Sequence, residues 1–205
     1  MVKSYMKAAV FAVLFMFLLG FVFPTVTSLI TEKALPWQSE GQPIKIDGKI
    51  YGSYLLAQAF NSSIFFHPRP SAIDYNLSES GSSLYSLGNP KELNITEGYL
   101  NEFLKENPGI NVSQIPSAMI SVSDSGLDPD IPLAGALIQV NRVAIALNNS
   151  SGLSLSYVHS FLLSSINEDK VQNFPFFGSY YVNVVTLNVQ IIEMLQEKTN
   201  FMLSH

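Results

Sequence analysis

AAVFAVLFMFLLGFVFPTVTSLI, residues 8 to 30, decides the architecture: 23 consecutive positions carry no charged side chain. As an α-helix rising about 1.5 Å per residue the run measures about 34 Å, against a hydrocarbon layer of about 30 Å. A secretory signal is the competing reading, because Lys3 and Lys7 form a positive leader. Signal cores stop at about 15 residues and end in small residues at a cleavage site, and neither condition holds here. No polar face interrupts the run, as one would in a helix packed on a soluble core. The stretch therefore reads as a retained transmembrane anchor. Lys3 and Lys7 precede it, while Glu32 and Lys33 cancel after it. The positive-inside rule then predicts a cytoplasmic tail, residues 1–7, a transmembrane helix over 8–30 and an extracytoplasmic domain over 31–205, in a single-pass cell-membrane protein.

Working outward, the chain has 205 residues, a formal net charge of −5 and 13% charged residues. That charged share is about half the usual quarter for soluble domains. The absence of cysteine excludes disulfides, thiolate metal sites and cysteine nucleophiles. An acidic balance argues against nucleic acid as a partner, since such binders need basic surface to displace counterions. Six Asn-x-Ser/Thr sequons, at Asn61, Asn76, Asn94, Asn111, Asn148 and Asn149, fit an outside location without establishing it.

The outer part reads as one mixed domain, α/β or α+β. Ile44 to Tyr51 alternates apolar and polar around Asp47-Gly48, the signal for a tight hairpin. Residues 61 to 92 are rich in Ser, Asn, Pro and Gly and predict a long irregular segment. Helices are expected over 96–106, with Leu100, Phe103 and Leu104 inward, and from Pro132 onward, with Leu133, Leu137, Val140, Ala144 and Leu147 on one face. Another is expected over 155–166 through Leu155, Val158, Leu162 and Ile166. Met119–Val122 and Tyr181–Thr186 look like strands, the latter leading into an amphipathic helix to about Lys198.

Catalytic motifs are missing. There is no P-loop, no Asp-Lys-Thr-Gly-Thr phosphorylation core and no Gly-x-Ser-x-Gly elbow. Ser4-Tyr5-Met6-Lys7 satisfies Ser-x-x-Lys, but it lies in the tail before the anchor and is read as a chance match. His67, His159 and His205 lack the i, i+4 partners of a zinc site, so no metal is expected. His159 reads as a partly buried packing residue on a helix. Asp124, Asp128 and Asp130 form the one carboxylate cluster, without an EF-hand's glycine and closing glutamate; turn and cap roles suit them better. His67-Pro68-Arg69-Pro70-Ser71 stands out, since two prolines fix the backbone on either side of the guanidinium. Arg69 and Arg142 are the chain's two arginines, and each reads as a structural clamp or a subunit contact.

Several of these runs, in this order, resemble the KdpC family, the small subunits of the bacterial and archaeal ATP-driven potassium pump Kdp. They are Gly20 with Phe23-Pro24, Gly52 to Gln58, Phe65 to Ala72, Ser123 to Ile131, Gln139 to Ala144, and Val182 to Val185. Asp130 stands where the family usually has His, Ala57 where it usually has Gly, and Ser179-Tyr180 where Glu-Pro commonly precedes Val-Asn-Val. Ser80 to Ser83 and Gly88 to Pro90 echo a family signature with altered spacing.

The resemblance implies a non-catalytic accessory subunit of a high-affinity potassium uptake complex. Its partners would be a P-type ATPase catalytic subunit, a potassium-channel-like subunit and membrane lipid. It would have no cofactor of its own, ATP and K+ acting on the whole complex. It also implies that the subunit raises the ATP affinity of the catalytic chain, with the glutamine matching Gln58 as a nucleotide contact, and it leaves His67, Arg69, Asp128 and Arg142 as structural or subunit-contact candidates. The topology read from the lysines puts Gln58 outside, whereas ATP is cytoplasmic; an outer domain can still bias a pump's conformations without touching nucleotide. On local sequence Gln58 reads as a polar residue closing a helix after the hairpin. A membrane-anchored extracytoplasmic enzyme or solute-binding module is the alternative, and it lacks a nucleophile–base pair or metal set.

Overall fold

The computed structural model describes residues 2–46, 48–86, 88–174 and 177–203, with side chains through Lys198. Asp47 of the hairpin and His205 lie outside the described residues. The chain divides into two compact units, Met1–Ser53 and Tyr54–His205.

The first unit carries the apolar helix. It runs as α1 (Val2–Phe17), a π turn (Leu18–Val22) and α2 (Phe23–Ala34), together long and apolar enough to cross a membrane, with none of its span buried by protein. Pro24 explains the π turn. A proline inside a helix has no N–H to give, and its ring crowds the carbonyl four residues back. Just before it the ladder widens, so that the Phe23 N–H reaches the Leu18 carbonyl, five residues back. The hydroxyls of Thr25, Thr27 and Thr31 donate to carbonyls one turn earlier at 2.7–2.8 Å, so these three polar groups are satisfied within the helix.

A single turn, α3 (Pro36–Ser39), leads to the expected hairpin, β1 (Pro43–Ile46) antiparallel to β2 (Lys49–Ser53), with a bulge between Ile44 and Lys45. Gly48 has φ +76°, a conformation that glycine takes without steric cost.

In the second unit, the described residues between 54 and 89 contain no helix or strand. The helix expected up to Gln58 is absent, because distant groups take the backbone there. Ala57 N–H donates to the Leu127 carbonyl, and the Tyr54 carbonyl accepts from Asn183. The irregular segment ends earlier than expected, at Asn89, whose side chain caps α4 (Pro90–Glu106) by accepting from Lys91 N–H. Residues 119–122 form no strand: a 3-10 turn spans Ser117–Met119, and the carbonyls of Ala118 and Val122 accept from Arg69 rather than from a neighbouring strand.

The sheet is small and antiparallel, ordered β3 (Asp130–Pro132), β5 (Tyr180–Asn183), β4 (Val171–Gln172). Ile131 pairs with Val182 at its centre, and both are fully buried. The β5 strand stops three residues before the expected Thr186. Asn183 turns the chain there by accepting from the N–H groups of Val185 and Thr186, opening α7 (Val184–Leu203). Val182, Val184 and Val185 favour a strand, and Asn183 alone among them marks the stop as a helix cap.

Helices α5 (Leu133–Ser151) and α6 (Leu155–Asp169) form a hairpin through Gly152, which adopts φ +67° beyond the last turn of α5. Val140, Val143, Ala144 and Leu147 meet Val158, Leu162, Ile166, Leu187 and Ile191 in the core. Leu137 and Leu155, expected inward, are exposed. Ala136 and Gln139 take the inner positions of α5 instead.

Candidate functional site

Four of the residues singled out in sequence converge on one coil, residues 62–71. Each element around it contributes a bond to its backbone or side chains. Asn188 of α7, fully buried, reads Phe66 as a strand partner would: its Oδ1 accepts from Phe66 N–H at 2.8 Å and its Nδ2 donates to Phe66 C=O at 2.9 Å. Gln139 of α5, also fully buried, does the same for His67, at 2.7 and 3.1 Å. Two side-chain amides thus replace the ladder that this coil lacks.

Arg142 lies one turn along α5 from Gln139 and completes that arrangement. Its Nη2 donates to Gln139 Oε1 at 2.6 Å, and its Nη1 to the carbonyls of Ser63 and Phe65 at 2.9 and 3.0 Å. Its Nε reaches Asn107 Oδ1 at 3.3 Å, at the C-terminus of α4. Burial pushes the guanidinium's pKa down, and the Glu106 carboxylate partly offsets that. This clamp is built on carbonyls and amides.

Arg69 is a clamp of another kind. Its Nη1 meets Asp128 Oδ2 at 2.9 Å, while Nε and Nη2 donate to the carbonyls of Ala118 and Val122. The fork therefore holds one carboxylate oxygen and two backbone groups. Asp128 also accepts from Asp130 N–H through its other oxygen, the turn geometry that its place before Pro129 suggests. Asp130 is pushed up by burial, with the Asp128 charge adding to it. Around Arg69, Tyr75 donates to its carbonyl at 2.8 Å, and Ser71 Oγ donates to Gly126 C=O at 2.7 Å.

His67 closes the site on the α4 side. Its Nδ1 lies 2.9 Å from Glu106 Oε2 and its Nε2 3.3 Å from the Ser62 carbonyl. Glu106 is held below the usual carboxylate range, first by that hydrogen bond and then by the charges of His67 and Arg142, against the opposing pull of burial. His67 and Glu106 face a cleft of about 450 Å³ walled by Phe60, Phe103, Tyr75 and Tyr99, with Asp74 and Glu102 at its side. Burial, above all, pushes the Tyr75 hydroxyl well above its ordinary value and raises that of Tyr99. Among the described residues no group of three His, Asp or Glu is arranged to hold a metal ion. Chemically, the site binds its own backbone.

Gln58 sits apart, half-buried in the coil after the turn at 54–56. His159 is half-buried on α6 beside Asn141 and Ile145, in keeping with a packing residue. Sequence reasoning singled out neither Gln139 nor Asn188 for this role. The signal was present: each is an amide on the apolar stripe of a helix, Gln139 between Ala136 and Val143 and Asn188 between Val184 and Ile191. A polar group so placed must find partners when buried.

Fold and site together define a small mixed helix-and-sheet domain behind one span-length apolar helix, its charged motif residues bonded to backbone. Residues 5–193 match the KdpC family, described as "K+-transporting ATPase, c chain". The chain is 72% identical over 193 residues to the "Potassium-transporting ATPase KdpC subunit" of Thermoplasma acidophilum, covering 94% of each chain. It is 70% identical over 195 residues to that of Thermoplasma volcanium, covering 95% of this chain and 93% of the relative. With the protein of the same description from Caldanaerobacter subterraneus it shares 39% over 187 residues, 91% of this chain and 93% of the relative. The chain belongs to the KdpC family.

Proposed function

We propose that this chain is the anchored accessory subunit of a potassium-transporting ATPase, performing no chemistry of its own and stabilising the assembly from its membrane helix and an extracytoplasmic domain. The observation that carries the reading is the family match along almost the whole chain, joined to a site whose ionic groups are consumed by the fold. The partners are then the other subunits of the pump, a P-type catalytic chain and a channel-like chain. The acidic domain lies at the outer, ion-entry side.

On this topology the chain acts on ATP turnover by favouring one conformation of the pump, which is coupling without contact. Gln58 then has no nucleotide to touch. Purification under native detergent conditions is expected to bring down the ATPase and channel-like subunits, while the isolated chain shows no magnesium-dependent ATP hydrolysis. Turnover by the pure chain, abolished by a point substitution in it, would overturn the accessory reading. A Gln58→Ala change that weakens ATP affinity with assembly intact would favour direct contact. Single cysteines at Val2 and Leu84 decide the topology: an impermeant thiol reagent on intact cells should label position 84 and spare position 2.

A further inference from the structure

We infer that residues 35–53 form a collar lying in the headgroup layer of the membrane, a phosphate-bearing lipid surface, with Leu35, Trp37, Ile50 and Tyr51 in contact with lipid. This rests on the anchored reading of α1 and α2. The collar starts where the helix stops. α2 ends at Ala34, and α3, which carries Trp37, begins at Pro36. The hairpin is held to this point by two bonds. Ser53 Oγ donates to the Gly41 carbonyl at 2.6 Å, and Lys45 Nζ lies 3.2 Å from the Glu40 carboxylate. Gly41 is itself tied to α3, since its N–H donates to the Gln38 carbonyl and its neighbour Gln42 donates to that of Trp37. The ribbon therefore stays beside the helix end.

Its exposed side chains have the chemistry of that layer. Leu35 is 51% exposed, Trp37 46%, Ile50 66% and Tyr51 59%. Ring systems with one polar tip favour the boundary between hydrocarbon and water. Successive strand residues point to opposite faces. Exposure of both Ile50 and Tyr51 thus leaves β2 exposed on either face, although Pro43 and Ile44 of β1 are buried, and immersion in the headgroup layer covers the exposed pair. Charge agrees. Residues 31–53 hold three basic and three acidic side chains and are neutral, whereas residues 54–205 hold six basic against thirteen acidic and carry −7. A phosphate-bearing surface repels the second group and tolerates the first.

The chain lacks cysteine and has a single tryptophan, so it reports on itself. The test reconstitutes the full chain in vesicles of phosphatidylcholine and phosphatidylglycerol, with spin labels on Leu35→Cys, Ile50→Cys, Tyr51→Cys and, as a control in water, Leu84→Cys, where the native side chain is 96% exposed. Labels at 50 and 51 are expected to match position 35, favouring oxygen over a water-soluble nickel chelate, with the opposite at position 84. Brominated acyl chains should quench Trp37 fluorescence. If 50 and 51 follow position 84 while 35 stays lipid-like, the collar is wrong and the anchor stands. A water-like label at 35 with unquenched Trp37 overturns the anchored reading itself. Shielding of 50 and 51 that appears with the assembled pump and not with vesicles alone assigns the surface to a protein partner and overturns the lipid proposal.

Discussion

The hairpin at 43–53 and the coil at 54–89 reverse the usual relation between regular structure and anchorage. The hairpin has a strand ladder, yet β2 buries none of its side chains and a two-stranded ribbon is marginal by itself. The coil has no ladder, yet Phe66 at its centre is fully buried and two helices supply amides to its backbone. Order in the coil comes from distant side chains that satisfy buried backbone groups. Its weak points are consequently single residues far away in sequence. Those of the hairpin are local.

The largest expected effect follows from cutting an amide. Asn188→Leu leaves the N–H and C=O of Phe66 buried without partners, at about 1–3 kcal/mol each, so about 2–6 kcal/mol in all. Gln139→Leu should cost a similar amount, because His67 loses the same pair and Arg142 loses an acceptor. Denaturant unfolding of the purified chain should show a lowered midpoint with an unchanged slope. A change below about 0.5 kcal/mol, the scale of ordinary surface substitutions, would mean the coil is held by something else.

Arg69 ranks next. Lysine can keep the Asp128 contact but not the two carbonyl bonds, so Arg69→Lys should cost about 1–3 kcal/mol, the side chain being roughly one-fifth exposed. Asp128→Asn keeps an acceptor for the Asp130 N–H and should cost less. The melting temperature, or retention of the other pump subunits during purification, reads both. If neither property moves while potassium transport collapses, Arg69 acts on ion entry and the structural role fails.

Acid separates the carboxylates by sign. Glu106 has a depressed folded-state pKa, so its contribution is fully present above the unfolded value of about 4.3 and is lost as pH falls through the lower folded value. Asp130 is raised, by burial first and the Asp128 charge second. Its penalty is present above the raised value and is relieved as it protonates. Unfolding midpoints measured from pH 7 to about 3 should therefore show a flatter acid limb for Glu106→Gln. Asp130→Asn should be more stable than the parent at neutral pH and lose stability more steeply on acidification. Acid limbs that coincide with the parent's would disprove the coupling.

How much of this was legible in the sequence follows the same division. The apolar run and the Asp-Gly turn are local signals, and the elements they mark are present. The long coil was legible as irregular, but its path was not, because Asn188 lies 122 residues from Phe66. The missing strand at 119–122 and the early stop of β5 have different causes. Arg69 takes the carbonyls at 118 and 122, a tertiary choice that overrides strand propensity, whereas Asn183 caps α7 through the N–H groups two and three residues on, a local signal. Arg69 was recoverable as a clamp candidate from its flanking prolines, but its pairing with Asp128, 59 residues away, was not. Its three-way fork depends on where the 117–122 turn happens to pass.

The smallest expected effect belongs to the hairpin. Gly48 holds φ +76° with no heavy atom within 4 Å of where a Cβ would sit, so Gly48→Ala meets no clash beyond its own backbone. The left-handed conformation costs an alanine about 1–2 kcal/mol. The ladder it closes joins four residue pairs and is tied down by Ser53–Gly41 and Lys45–Glu40. That penalty should appear as faster hydrogen exchange confined to residues 43–53, with the unfolding of residues 54–205 unchanged. If the headgroup layer covers Ile50 and Tyr51, adding bilayer should slow exchange there in the parent and recover part of the loss in the variant, because lipid binding favours the closed ribbon. Global destabilisation by Gly48→Ala, on the scale of Asn188→Leu, would show that the hairpin and the coil are one cooperative structure and that the contrast between them is false.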